Sequence, residues 1–268
     1  MANARSITVK LEMRMGQFIQ TEREGNILLI TLDRPEVLNA LHAAACHELS
    51  AVFDEFAEDE DLWIAIITGA GKAFCAGHDL VDGFFDPMPE TGWAGLSRRH
   101  DLFKPMICAV NGLAMGGGWE IAMACDVVVA DEHASFALPE PRVGFAALGG
   151  GAAGLVRRMP WHAAMGLLLT GDRIDAATAH RHGMVTEVAP SGKLLDVARR
   201  YAASMLRCSP LALRATKRVA LAALEPLATR AIIEALSLEL ADELTTLEDT
   251  REGIEAFKEK RAPVWAGR

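Results

Sequence analysis

Residues 111–126 read NGLAMGGGWEIAMACD and follow directly on the apolar run Met106–Val110. The run MICAV reads as a buried strand. Gly116–Gly118 let the backbone approach a ligand with no Cβ in the way, and Gly116–Ala124 reads as a helix opening on those glycines. The first N–H groups of such a helix have no partner within it and lie at the positive end of its dipole, which suits a negative oxygen. Glu120 stands three residues past Gly117 and shares its helix face. One element can therefore offer an N–H donor and a carboxylate to one ligand. Taken alone, the segment fits equally well a glycine-rich packing turn with Glu120 as an ordinary first-turn carboxylate.

Working outward, strands alternate with helices. Asn26–Leu32 (NILLITL) and Leu62–Thr68 (LWIAIIT) read as buried strands. Asn39–Glu58 carries helical spacing, with Asn39 as N-cap. Gly77–His100 reads as a loop with some helix near its end. Val127–Ala130, Ser135–Leu138 and Val185–Val188 read as short strands, and Leu155–Leu169 and Ala176–His182 as helices. Past Ser191 only helices are expected: Leu194–Leu206, Pro210–Leu224, Thr229–Leu247 and Glu248–Lys258. The pattern predicts an α/β fold with crossover units. It divides the chain into an N-terminal extension (1–17), a β-rich core (18–190) and a C-terminal helical region (191–268).

Composition narrows the function. The 268 residues are 51% hydrophobic and 24% charged, a globular balance. The net charge of −9, with no basic stripe, argues against nucleic acid. No apolar run reaches the ~18 residues of a membrane span, so no membrane partner is expected. The five cysteines are scattered without a C-x-x-C pair, as in a cytoplasmic protein with reduced thiols. His42/His47 and His180/His182 have no metal-ligand spacing, so no metal is expected. Gly149–Gly154 fits G-x-G-x-x-G literally, but Val143–Leu148 is a poor strand to precede a dinucleotide site.

Two further segments have the same character. Ala73–Leu80 (AFCAGHDL) follows a strand, and its turn at Gly77 could aim the His78 N–H into a pocket. Ser135–Gly144 (SFALPEPRVG) offers Glu140 at a strand end. Each alone reads more simply as a turn. Together they resemble the enoyl-CoA hydratase/isomerase, or crotonase, family. Its A-G-x-D-[LI] stands as Ala76–Leu80, its N-G-x-x-x-G-G-G-x-E as Asn111–Glu120, and its P-E-x-x-x-G as Pro139–Gly144. Arg34-Pro35, Leu38–Leu41, Thr170–Ile174, Gly183–Val185 and Phe257–Arg261 extend the similarity in order along the chain.

The resemblance implies a crotonase-like spiral of ββα units with a C-terminal α-helical trimerisation region, and a homotrimer or a dimer of trimers (hexamer). It implies an acyl thioester of coenzyme A as substrate and no permanently bound cofactor. The backbone N–H groups of His78 and Gly117 would form an oxyanion hole for the thioester enolate. Glu120 would activate water and Glu140 would deliver a proton to Cα. Arg34, Val37, Leu38, Ala40, Ala76, Asp79, Leu80, Leu113, Gly116, Pro139 and Lys260 would bind substrate and CoA, with Lys260 reaching a neighbouring subunit's ligand. The reaction expected first is reversible syn hydration of a 2-enoyl-CoA. Double-bond isomerisation, 3-hydroxyacyl-CoA dehydration, thioester hydrolysis and a non-catalytic CoA-binding role are the alternatives. Val81 and Glu36 depart from the family pattern, where basic residues are common. His78 replaces a small residue. Trp119 and the Phe84–Trp93 loop are candidates for lining the acyl pocket.

Overall fold

The computed structural model describes residues 12–82, 86–208, 210–224, 242, 245–246, 248–261 and 263. Residues 1–11, Phe84, Phe85 and nearly all of the helix expected over 229–247 lie outside the described residues.

In chain order the strands are β1 (Glu12–Met15), β2 (Ile19–Glu24), β3 (Ile27–Leu32), β4 (Ile64–Gly69), β5 (Ala73–Cys75), β6 (Met106–Val110), β7 (Leu113–Met115), β8 (Val127–Asp131), β9 (Ser135–Ala137), β10 (Ile174–Asp175) and β11 (Glu187–Ala189). The helices are α1 (Ala43–Glu58), α2 (Gly117–Ala124), α3 (Gly151–Arg158), α4 (Trp161–Thr170), α5 (Ala176–Arg181), α6 (Leu194–Met205), α7 (Pro210–Ala223) and α8 (Glu248–Glu259).

One sheet of seven strands runs β1-β2-β3-β4-β6-β8-β11, and a second of four runs β10-β9-β7-β5. The meander β1–β3 is antiparallel; from β3 to β11 every pair in the large sheet is parallel. The chain therefore winds as a spiral. β4, β6 and β8 each lie in the large sheet, and each is followed at once by a strand of the small one, β5, β7 and β9. The turns after β5, β7 and β9 consequently stack at one edge of the molecule, and these are the three segments singled out in the sequence.

The central parallel strands β3, β4 and β6 are mostly apolar because both faces of the large sheet are covered there. Successive side chains alternate between two cores. Ala65 and Ile67 face α1 and the small sheet, joining Leu49, Phe53, Phe56, Phe74 and Phe136. Ile64, Ile66, Ile107, Ala109 and Val129 face the other way, under Leu194, Ala198 and Ala202 of α6. Those three recur every four residues, which gives α6 one apolar stripe to lay on the sheet.

Three expectations need correction. Asn39 does not cap α1. The helix begins at Ala43, and the Nδ1 of His42 accepts from the Ala45 amide at 3.1 Å. Asn39 is instead buried in a left-handed conformation (φ 58°). Its side chain donates to the carbonyls of Ala70 and Ala73 and accepts from the Arg34 amide, pinning the 34–39 turn to the 70–73 stretch. The helix expected over Leu155–Leu169 is two, α3 and α4, separated at Pro160, a residue that cannot continue a helix. The strands β1, β2, β5, β7 and β10 were not anticipated.

Candidate active site

The first donor turn follows β5. Gly77 takes φ 96°, a conformation glycine adopts without strain. The Leu41 amide donates to Gly77 O at 2.9 Å and the Asp79 amide to Leu41 O at 3.0 Å. This parallel bridge uses the residues flanking His78 and turns the His78 N–H to the opposite side. The second donor turn lies against it. An ideal Cβ on Gly77 would stand 3.3 Å from the nitrogen of Gly117, the first residue of α2. Gly117 in turn has Trp93 packed on its Cα, where a Cβ would come within 2.2 Å of the indole ring. The two backbone donors expected from sequence are thus brought together, under an aromatic wall.

Glu120, on the first turn of α2, is buried. Its Oε1 accepts from the Gly151 amide at 2.8 Å. Burial pushes its carboxyl up to about 7, against the opposing pull of the Gly151 and Gly149 amides. Glu140 opens the short 3-10 turn Glu140–Val143 after β9. Its carboxylate lies against the start of α2, since a Cβ on Gly116 would stand 3.0 Å from its Oε1. Its Oε2 is buried without a hydrogen-bond partner. Burial, and then the neighbouring Glu120, raise it to about 8. Two carboxyls from separate elements therefore share one proton-hungry space beside two N–H donors.

These groups line a groove of about 1850 Å³. Val37, Leu38, Ala40, Ala76, Asp79, Leu80, Gly116, Pro139 and Lys260 also line it, as do Glu36 and Val81. Arg34 and Leu113 stand apart from its wall. Arg34 Nη1 donates to Ala40 O at 2.6 Å and to Asp79 Oδ2 at 3.0 Å, so its charge braces the 34–41 turn instead of facing a ligand. Burial alone would raise Asp79, but the amides of Val81 and Asp82 and the Arg34 guanidinium outweigh it and hold the carboxyl low. Leu113 belongs to β7 at the interior of the small sheet. Trp93 lines the groove, whereas Trp119 is buried in the core beside Phe136, ring centroids 5.6 Å apart. The His78 imidazole is held neutral: burial pulls it down to about 4, Asp79 opposes and His42 adds to the fall. Met88 lines the groove with Trp93 from the Phe84–Trp93 loop, whereas Met123 and Arg158 line it without having been anticipated. Gly151 was visible only as part of a glycine cluster whose purpose, holding Glu120, depends on a contact 31 positions away. Among the described residues no group of three His, Cys, Asp or Glu could hold a metal.

The chain belongs to the enoyl-CoA hydratase/isomerase family, whose model matches residues 22–268. It is 38% identical over 262 residues to a carnitinyl-CoA dehydratase of Proteus mirabilis, covering 95% of this chain and 100% of the relative. It is 40% identical, with the same coverage, to a carnitinyl-CoA dehydratase of Citrobacter koseri. Among solved structures, a carnitinyl-CoA hydratase from Mycobacterium avium superposes with a TM-score of 0.86 at 40% identity, covering 95% of this chain and 100% of that one. An enoyl-CoA hydratase from Mycobacterium tuberculosis gives 0.74 at 36% identity, covering 94% and 100%. The fold is accordingly the crotonase spiral.

Proposed function

We propose that this chain catalyses the reversible syn addition of water across the Cα=Cβ bond of a 2-enoyl-CoA. The observation that carries the reading is the meeting of Glu120 and Glu140, both raised toward neutrality, beside the His78 and Gly117 amides. The thioester oxygen accepts from the two amides. Water oxygen adds to Cβ, the π electrons move onto the thioester oxygen as an enolate, and Glu120 takes the proton the water gives up. The enolate collapses, and Cα takes a proton from Glu140. Passage of a proton from Glu120 to Glu140 resets the pair, so the net change is addition of one water. Run backwards, the same steps dehydrate a 3-hydroxyacyl-CoA. Incubation with crotonyl-CoA, followed by loss of enoyl absorbance and identification of 3-hydroxybutyryl-CoA, tests the reading. Unchanged absorbance across short and medium acyl chains overturns it, and a shifted double bond or free CoA as product selects isomerisation or thioester hydrolysis.

A second reading takes the acyl group from the relatives' names: dehydration of carnitinyl-CoA, whose acyl chain ends in a trimethylammonium group. Identities of 38 to 40% favour it. For assembly, we propose a homotrimer or a dimer of trimers. Trp161 and Leu169 on α4 and Leu211 and Val219 on α7 are large apolar side chains left exposed by a single chain. No described helix is long and apolar enough to cross a membrane, and we place the enzyme in the cytoplasm.

A further inference from the structure

Beyond the reacting carbons the groove continues along the cleft between α2 and α3. Glu120 is tied to Gly151 at the start of α3. One turn on, Met123 of α2 faces Gly154 of α3, where a Cβ would stand 3.0 Å from the Met123 sulfur and 3.3 Å from Nη1 of Arg158. The missing side chain at Gly154 makes room, and Arg158 folds back into it. Its Nη1 donates to Gly154 O at 3.3 Å and its Nη2 to Met123 O at 3.2 Å. The guanidinium is therefore fixed about one helical turn, ~5 Å along the axis of α3, past the Glu120 carboxylate. Guanidinium has about five N–H donors, and the two carbonyls leave several for a ligand. Asp126, which also lines the groove, is already engaged: its Oδ2 accepts from Lys217 Nζ and from the Met106 amide, each at 2.8 Å. Burial and the neighbouring Arg157 both lower the pKa of Arg158, and no acid offsets them. Arg157 lines the same end.

We propose that Arg158 selects the acyl group by the charge at its far end, favouring an enoyl-CoA with a carboxylate a few bonds beyond Cβ and disfavouring one that ends in a quaternary ammonium. A guanidinium held by two backbone carbonyls is pre-organised for a charge-assisted, two-point bond to a carboxylate. The same fixed cation repels a trimethylammonium group. This rests on the hydratase reading for its substrates, and it separates this chain from the acyl group in its relatives' names. The simpler role, bracing α3 against the end of α2 through the carbonyls of Gly154 and Met123, uses the same two bonds but predicts no charge preference.

The test compares kcat/KM of the full chain for three enoyl thioesters: crotonyl-CoA (neutral), trans-2-hexenedioyl-CoA (terminal carboxylate) and crotonobetainyl-CoA (terminal trimethylammonium). The wild type is expected to favour the carboxylate over the neutral substrate by about tenfold or more, and to rank the cation last. Arg158→Gln should abolish that preference by lowering kcat/KM for the carboxylate substrate about tenfold more than for crotonyl-CoA, and Arg158→Lys should keep part of it. Equal or better use of the cationic substrate by the wild type, or a uniform fall on all three substrates in Arg158→Gln, overturns the proposal. If the wild type turns over none of them, the hydratase reading fails on its own. Calorimetric binding of adipoyl-CoA against hexanoyl-CoA then still decides the role of Arg158: tighter adipoyl-CoA binding that Arg158→Gln removes supports it, and equal binding overturns it.

Discussion

The Gly151 amide donates to Oε1 of Glu120 at 2.8 Å, so the first turn of α3 holds the side chain that α2 presents. A Glu120→Gln variant keeps the shape and this hydrogen bond but cannot take a proton from water. Its kcat on the preferred enoyl-CoA is expected to fall by about 10²-fold or more, with Tm maintained. Wild-type turnover in this variant removes the role given to Glu120. Because Glu120 also raises Glu140, the Glu140 carboxyl should titrate lower in the variant, which carbon-13 NMR of labelled glutamate reads directly.

The pH dependence follows from the same pair. The proposed hydration needs Glu120 ionised and Glu140 protonated, and their values of about 7 and about 8 leave a window between them. A bell-shaped kcat/KM profile peaking near pH 7 to 8 is expected, its limbs belonging to the pair and not to single residues. A flat profile from pH 6 to 9 contradicts the assignment.

Stability carries the opposite sign from an ordinary surface carboxylate. Both carboxyls bind protons more tightly folded than at their ordinary value of 4.5. Their contribution is therefore full below that value and lost as pH rises through the folded values. Between about pH 5 and pH 8.5, the wild type should lose more unfolding free energy than Glu120→Gln/Glu140→Gln. Parallel denaturant curves across that range would refute this.

Gly117 and Trp93 are fitted to each other. Gly117→Ala places a methyl within 2.2 Å of the indole, which should cost about 1–3 kcal/mol through overpacking and lower kcat/KM by moving the donor. Truncating the indole in Gly117→Ala/Trp93→Ala should relieve the added strain, so the two changes should be non-additive in a double-mutant cycle. Additive losses would show that the contact is not the cause.

Asn39 ties the 34–39 turn to the 70–73 stretch from a left-handed conformation. Asn39→Ala leaves the Arg34 amide and the Ala70 carbonyl without this partner, the Ala73 carbonyl keeping Asn111, and places alanine where φ is 58°. A loss of about 3 kcal/mol is expected, read as a lower denaturant midpoint at unchanged slope. A loss below about 1 kcal/mol would mean that the turn is held by its backbone bonds alone.

The long apolar strands were legible because burial on both faces leaves an unbroken run: Met106–Val110 was read with its observed ends, and Ile27–Leu32 nearly so. β5 and β7 were missed because each is a three-residue stretch between glycines that read as turns (Gly71 and Gly77, Gly112 and Gly116), and β2 (IQTERE) because a strand near the sheet edge keeps polar side chains. Asn39 misled because the residue type that caps helices also favours left-handed turns, and only the tertiary partners decide between them. In the site, Glu120, Glu140, Gly117 and His78 were marked by the motifs that carry the family resemblance, which lie on or just after the strands of the small sheet. The engagement of Arg34 by Asp79, 45 positions on, and the folding back of Arg158 into the space at Gly154 depend on packing between elements, which spacing does not encode.

The helix α3 grips the Glu120 carboxylate at one end and carries a guanidinium near the other, across only eight residues. A rod that short moves as one piece, so sliding it to admit a bulkier acyl tail would drag Glu120 out of register. Retuning such an enzyme toward a new tail must therefore proceed by exchanging side chains along a stationary helix.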